Sequence, residues 1–307
     1  MIDPTAAAAA LQGVVRRTPV VSVAREDLGL APGVPIECKL EYLQHSGTFK
    51  ARGASHFMVR NEIGPAGVVA ASGGNHGAAV AWAARTRGYE ANIFVPTISS
   101  PAKVDRLRSY GATVHQVGAV YSESLEASRV FEAESGATSI HAYDHPDVMA
   151  GAGTTGLEFV EQTGGLDTML LACGGGGLSG GAAVAVGEDV RIVVCEGETT
   201  NAYAAARAAG EPVDVSVSGV TADALGATRI GTLAWNALSA VDAPSALVAD
   251  DAVMEARQLL WSALRIVVEP AVATTVAALT SGAYRPAPDE RVGIVLCGAN
   301  TRLDDLT

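Results

Sequence analysis

The sequence predicts an α/β protein with mostly parallel, twisted sheets covered by helices. Short runs rich in Val, Ile and Leu alternate with Ala-rich stretches of helical length, and that alternation builds parallel strands joined by crossover helices. The strand runs are apolar on both faces, as strands are when helices cover each side of a sheet. Composition agrees, because 49% hydrophobic and 18% charged residues among 307 describe a well-buried globular chain.

The first element is a helix. Asp3 or Thr5 is available as its cap, Pro4 sits in its first turn, and five alanines follow. This start lacks the basic region of a signal peptide. No apolar run approaches the roughly 20 residues that span a membrane, so the chain reads as cytoplasmic. Strands are expected over 35–40, 67–71, 91–95, 113–117, 168–173, 191–195 and 291–297. Helices are expected over 75–87, 101–110, 122–135, 154–163, 178–186, 201–209, 251–264 and 272–281. Residues 56–145 form a block of strand–helix repeats between glycine-rich segments. They read as a smaller domain inserted into a larger, discontinuous one made of 1–55 and 146–307.

A net charge of −12 argues against nucleic acid or an anionic membrane as partner. It leaves a small anion open, because glycine loops and helix N-termini bind anions through backbone N–H groups. Cys38, Cys173, Cys195 and Cys297 each lie in or just after a strand-like run, and none has CxxC spacing. Buried thiols, rather than zinc ligands or disulfides, are the economical reading.

Lys50 is one of three lysines among 21 basic residues. A chain that otherwise uses arginine and keeps a lysine beside Phe49 points to amine chemistry, because a lysine can lose its proton and form a Schiff base. An ordinary helical lysine is the alternative. Ser72-Gly73-Gly74-Asn75-His76 links a strand to a helix and offers free N–H groups to a carboxylate or phosphate, or serves as a capped turn. Gly174-Gly175-Gly176-Gly177, followed by Leu178, is a second such junction. Four consecutive glycines are entropically costly and suit close backbone approach to an anion. No Gly-Lys-Ser/Thr follows, so this is not a Walker loop. Residues 175–180 also match GxGxxG, and Glu196 ends the next strand, so a nicotinamide oxidoreductase is a rival. Residues 151–156 match as well, without a convincing strand before them. The final motif, Cys297-Gly298-Ala299-Asn300, closes a buried strand.

Together these segments resemble the fold-type II pyridoxal-phosphate enzymes, in the serine/threonine dehydratase and serine racemase branch. The resemblance runs through Lys39-Leu40-Glu41, Gln44, Gly47-Thr48-Phe49-Lys50-Ala51-Arg52-Gly53-Ala54, the Ser72–His76 loop, the tetraglycine loop, Glu269-Pro270 and Cys297–Asn300. It covers nearly the whole chain. Thr48 departs mildly from the usual serine. Lys50-Ala51-Arg52, in place of the Lys-Asp-Arg of related synthases, favours the dehydratase branch.

The resemblance implies pyridoxal 5'-phosphate held on Lys50 through a Schiff base, with Phe49 beside its ring and Asn75 on its phenolic oxygen. Gly174, Gly175, Gly176, Gly177 and Leu178 would wrap the phosphate, and Cys297 would face the ring nitrogen. Ser72, Gly73, Gly74, Asn75 and His76 would receive the substrate carboxylate. It further implies a cofactor-binding large domain, a substrate-binding small domain and a homodimer. The expected reaction is dehydration and deamination of L-threonine, L-serine or another hydroxy amino acid such as 3-hydroxyaspartate. Racemases of this group carry a serine where this chain has Gly73, so elimination is expected to dominate. The branch's divalent-cation pattern is half met: Glu196 matches, while Ala202 stands at the second position. Ending at Thr307, the chain is not expected to respond to isoleucine. A cofactor-binding protein without activity is the third reading.

Overall fold

The computed structural model describes residues 1–302. In chain order its elements are α1 (Pro4–Ala10), β1 (Val20–Val23), β2 (Ile36–Lys39), α2 (Lys50–Arg60), β3 (Val68–Ala71), α3 (Asn75–Arg87), β4 (Ala91–Val95) and α4 (Pro101–Ser109). Then come β5 (Thr113–Gln116), α5 (Tyr121–Ser135), β6 (Thr138–Ser139), α6 (Pro146–Thr163), β7 (Thr168–Ala172), α7 (Gly177–Val186), β8 (Arg191–Gly197) and α8 (Ala202–Ala209). The chain continues through α9 (Ala222–Leu225), α10 (Thr232–Ala240), β9 (Ser245–Val248), α11 (Asp250–Leu264), α12 (Pro270–Thr280) and β10 (Val292–Val295). The Asp3 carboxylate caps α1, accepting from the Ala6 amide at 2.9 Å.

Two sheets result. One runs β1-β2-β10-β7-β8-β9 and draws strands from both ends of the sequence; the other runs β5-β4-β3-β6. Only β1 and β2 pair antiparallel; every other neighbouring pair is parallel. The interior strands β4, β7 and β10 are buried along their whole length, as the unbroken apolar runs require. In the larger sheet, β10 lies between β2 and β7, so strand order reverses there. A crevice opens beyond the carboxyl ends of strands at such a reversal. The segments leaving β2, β7 and β10 are the Lys50 segment, the tetraglycine loop and the Cys297 segment.

Helix α6 begins at Pro146, eight residues before the expected 154. Its Gly151, Gly153 and Gly156 lower helix propensity and mask the start. Packing overrides that cost. A Cβ on Gly153 would lie 2.5 Å from the Gly181 carbonyl oxygen, and one on Gly181 would lie 2.5 Å from that of Met149. The second GxGxxG match therefore lies inside a helix: Gly153 and Gly156 face α7, while Gly151 faces α2, where a Cβ would lie 2.6 Å from the Arg52 carbonyl oxygen. Strands β1, β6 and β9 are not among the expected ones: β6 has only two residues, and all three are partly exposed. Among the described residues, no helix is long and apolar enough to cross a membrane.

Candidate active site

The Lys50 segment is pinned to the far end of the sequence. Thr48 bridges Gly298, the Phe49 amide donates to the Cys297 carbonyl at 3.0 Å, and the Ala299 amide donates to the Gly47 carbonyl at 3.1 Å. Lys50 thereby opens α2. Its Nζ donates to the Ala142 carbonyl at 2.9 Å and stands 5.4 Å from the centre of the Phe49 ring. Desolvation, only partly offset by Cys297 and Glu269, pushes its pKa down to about 8. An amine so placed keeps a neutral, nucleophilic fraction near neutrality.

Two residues on, Arg52 is buried in an ionic network that fixes the start of α2. Its guanidinium donates to both oxygens of Glu41, at 2.9 and 2.7 Å, and to both of Glu158, at 3.1 and 3.0 Å. Lys39 joins through Glu158 at 2.5 Å and through Gln162 and the Thr18 carbonyl. Buried charges are tolerated only when paired and hydrogen-bonded. The network thus accounts for Lys39, Glu41 and Arg52 without giving them chemistry.

The tetraglycine loop joins β7 to α7. Among the described residues, the N–H groups of Gly174, Gly175, Gly176, Gly177 and Leu178 have no backbone or side-chain acceptor. Gly176 has φ of 85°, which favours glycine. A Cβ on Gly175 would come within 2.4 Å of the Tyr143 ring, and one on Gly174 within 2.9 Å of Leu225 Cα. Orphan donors at a helix N-terminus suit a phosphate.

The second loop leaves β3. Ser72 Oγ accepts from the Gly74 amide at 3.3 Å, while the N–H groups of Gly73, Asn75 and His76 have no acceptor among the described residues. A Cβ on Gly77 would fall 1.9 Å from the Ser72 carbonyl oxygen, so the turn needs glycine there. Buried His76 donates from Nε2 to the Ile140 carbonyl at 2.8 Å. Desolvation, with Lys50 adding to it, pushes its pKa to about 3, so its ring is neutral.

Lys50, Phe49, Asn75, Gly174 to Leu178 and Cys297 line one cavity. His76 reaches an adjoining space behind Lys50, whereas Ser72, Gly73 and Gly74 border neither. Ala224 and Leu225 line the main cavity too. The Cys297 thiol is buried, and desolvation with the Glu269 carboxylate pushes its pKa far up, so it stays protonated. Glu196 lies elsewhere. It lies next to the end of β8, and its oxygens accept from the Tyr203 and Ala204 amides at 2.8 and 2.9 Å, capping α8. Buried at that end of the sheet, away from the Lys50 cavity, it is engaged as a helix cap. Among the described residues, no group of three or more His, Cys, Asp or Glu is placed to hold a metal.

Residues to which the sequence assigned no role complete the site. Glu269 accepts from Asn75 and from the Asn300 amide, and Tyr143 packs against Gly175 and Gly177. Only the Glu269-Pro270 pair hinted at the first. A lone tyrosine in a connecting segment carries no pattern.

Comparison with known proteins places this geometry. Residues 11–298 match the family model described as pyridoxal-phosphate dependent enzyme. The chain is 34% identical over 302 residues to a phenylserine dehydratase of Ralstonia pickettii, covering 95% of this chain and 90% of that protein. It is 33% identical over 307 residues to an L-threo-3-hydroxyaspartate ammonia-lyase of Pseudomonas sp, covering 98% and 95%. Its fold superposes on that of maize serine racemase with a TM-score of 0.91 at 30% identity, covering 99% of this chain and 94% of that one.

Proposed function

The chain belongs to the pyridoxal-phosphate dependent enzymes, in their fold-type II serine/threonine dehydratase and serine racemase branch, and we propose that it dehydrates and deaminates a β-hydroxy amino acid. The residues present fit the cofactor. Five orphan amides at 174–178 offer a phosphate cradle, and a desolvated amine on the same cavity offers the attachment point. When bound, pyridoxal phosphate supplies an electron sink for the bond broken at the substrate Cα.

This chain's residues do the rest. Lys50 holds the cofactor and then moves the Cα proton at Nζ, a task for which its depressed pKa suits it. The Gly73, Asn75 and His76 amides and Ser72 Oγ receive the substrate carboxylate. Asn75, Phe49 and the neutral thiol of Cys297, which line the same cavity, would hold and orient the cofactor ring. Gly73 has no side chain and so cannot return a proton to the face of Cα opposite Lys50. That favours loss of the β-hydroxyl over racemisation, with a 2-oxo acid and ammonia as products. Threonine and serine are the simplest substrates, while the relatives' names extend to phenylserine and 3-hydroxyaspartate. In this proposal the smaller sheet belongs to a substrate-binding unit spanning 56–145, and the protein works as a homodimer.

The observation that carries the reading is the meeting of Lys50 with the orphan glycine amides in one cavity. Purified protein should show a visible absorption band that disappears in Lys50→Ala, and it should release 2-oxo acid from a hydroxy amino acid. A colourless protein that stays inactive with added pyridoxal phosphate would sink the proposal.

A further inference from the structure

We infer that Arg106 reads the substrate side chain, making the preferred substrate a 3-hydroxy dicarboxylic amino acid. The inference rests on the dehydratase reading above and names its substrate class.

Arg106 lies on α4, with its Nε buried and without a hydrogen-bond partner. Its guanidinium makes no ion pair with any described residue. This chain does not treat its other shielded guanidiniums so. Arg25 donates to three carbonyls, and Arg52 to two carboxylates. A buried donor left unpaired is costly, so an orphan of this kind points to a partner that the chain itself does not supply.

Its position says which partner. Lys103, three residues earlier and on the same helix face, pairs with Asp223 of α9. The next two residues of α9, Ala224 and Leu225, line the cofactor cavity. Behind α4, the segment that leads into it borders the substrate loop. A Cβ on Gly73 would lie 3.5 Å from Val95 and 3.6 Å from Ser99. Helix α4 therefore stands between the loop that receives the α-carboxylate and the α9 wall of the cavity. The Arg106 charge also bears on Glu269, the carboxylate that holds Asn75.

A substrate anchored by its α-carboxylate extends its side chain past this wall. A methyl or phenyl group there leaves the Arg106 fork unpaired. A second carboxylate takes two N–H groups of a planar guanidinium at once. Dehydration of 3-hydroxyaspartate followed by hydrolysis of the imine returns the water lost in the first step. The net products are oxaloacetate and ammonia, and no oxidant is needed.

The test compares kcat/KM for L-threo-3-hydroxyaspartate, L-threonine and L-threo-phenylserine in the wild type, Arg106→Ala and Arg108→Ala. The wild type should favour hydroxyaspartate by at least about a hundredfold. Arg106→Ala should cut that ratio about tenfold or more, mainly through KM. Arg108→Ala, on the same helix but paired with Asp105, should leave it alone. Succinate should also inhibit the wild type at least about tenfold more tightly than butyrate, its analogue lacking one carboxylate. Turnover of threonine or phenylserine without preference for hydroxyaspartate overturns the inference alone. So does an unchanged ratio in Arg106→Ala, or equal inhibition by the two acids. Failure to release 2-oxo acid from all three substrates overturns the dehydratase reading beneath it.

Discussion

Asn75 Nδ2 donates to both oxygens of Glu269, at 2.9 and 2.8 Å, so one side-chain amide spans a buried carboxylate. Asn300 closes the group: its backbone amide donates to Glu269 at 3.0 Å, and its Nδ2 donates to Asn75 Oδ1 at 2.6 Å. Desolvation pushes the Glu269 pKa up, while the bonds from Asn300 and Asn75 pull it back. The carboxylate thereby fixes which face Asn75 turns to the cavity.

Glu269→Gln should loosen Asn75, because a neutral amide replaces an acceptor-only group and presents its own donors. We expect about a tenfold weaker hold on pyridoxal phosphate and a loss of about 1–3 kcal/mol in stability. Cofactor titration followed by the visible band, with urea melts alongside, reads both. Unchanged affinity would mean that Asn75 is oriented by Asn300 alone.

Lys50→Met should stabilise the cofactor-free protein. The folded state lowers the Lys50 pKa from 10.5 to about 8, so below pH 8 both states carry the proton and the folded state bears the full penalty. That penalty is on the order of 3 kcal/mol at most. Between pH 8 and 10.5 the unfolded chain binds more protons, so stability from this group rises with pH. The gain from the substitution should be largest at pH 7 and shrink by pH 9.5 in parallel urea melts of the two proteins. A gain independent of pH would remove the desolvated amine as its cause.

Glu158→Ala should be severe. It strips a partner from both Lys39 and Arg52, each buried, and such removals cost about 3–5 kcal/mol. The exposed pair Arg17–Glu161, at 3.1 Å, offers the contrast: Glu161→Ala should cost less than about 1 kcal/mol. The urea midpoint should fall sharply in the first variant, and hardly move in the second.

Gly73→Ser should fold, because an added Cβ meets Val95 and Ser99 at ordinary van der Waals distance. Under the proposed mechanism the new hydroxyl gives the opposite face of Cα a proton donor. D-serine should then form from L-serine in a chiral assay, where the wild type forms almost none. Substantial wild-type racemisation would refute the role assigned to the bare glycine.

The sequence by itself determined the chemistry that rests on local backbone. A strand, a glycine run and a helix in succession present free amides whatever the rest of the chain does, so 174–178 was legible from residue types alone. Lys50 stood out as a rare amine in an arginine-using chain, and the order of motifs identified the family. The parallel sheets followed from apolar runs alternating with helices. Tertiary structure decided what depends on partners remote in sequence. Glu269, tied by its amide to the Gly298 carbonyl, meets Asn300 and an Asn75 that follows β3 of the other sheet, and the Phe49 amide reaches the Cys297 carbonyl because β10 lies beside β2. Tyr143 and the Ala142 carbonyl enter the site from a connecting segment that has no periodicity. The glycines of α6 match a ligand-loop pattern, yet they lie inside a helix and pack against α2 and α7, because close helix approach and a ligand turn demand the same residue. Local conformational preference is written in neighbouring residues. The pairing of distant hydrogen-bonding groups is settled only when the sheet closes.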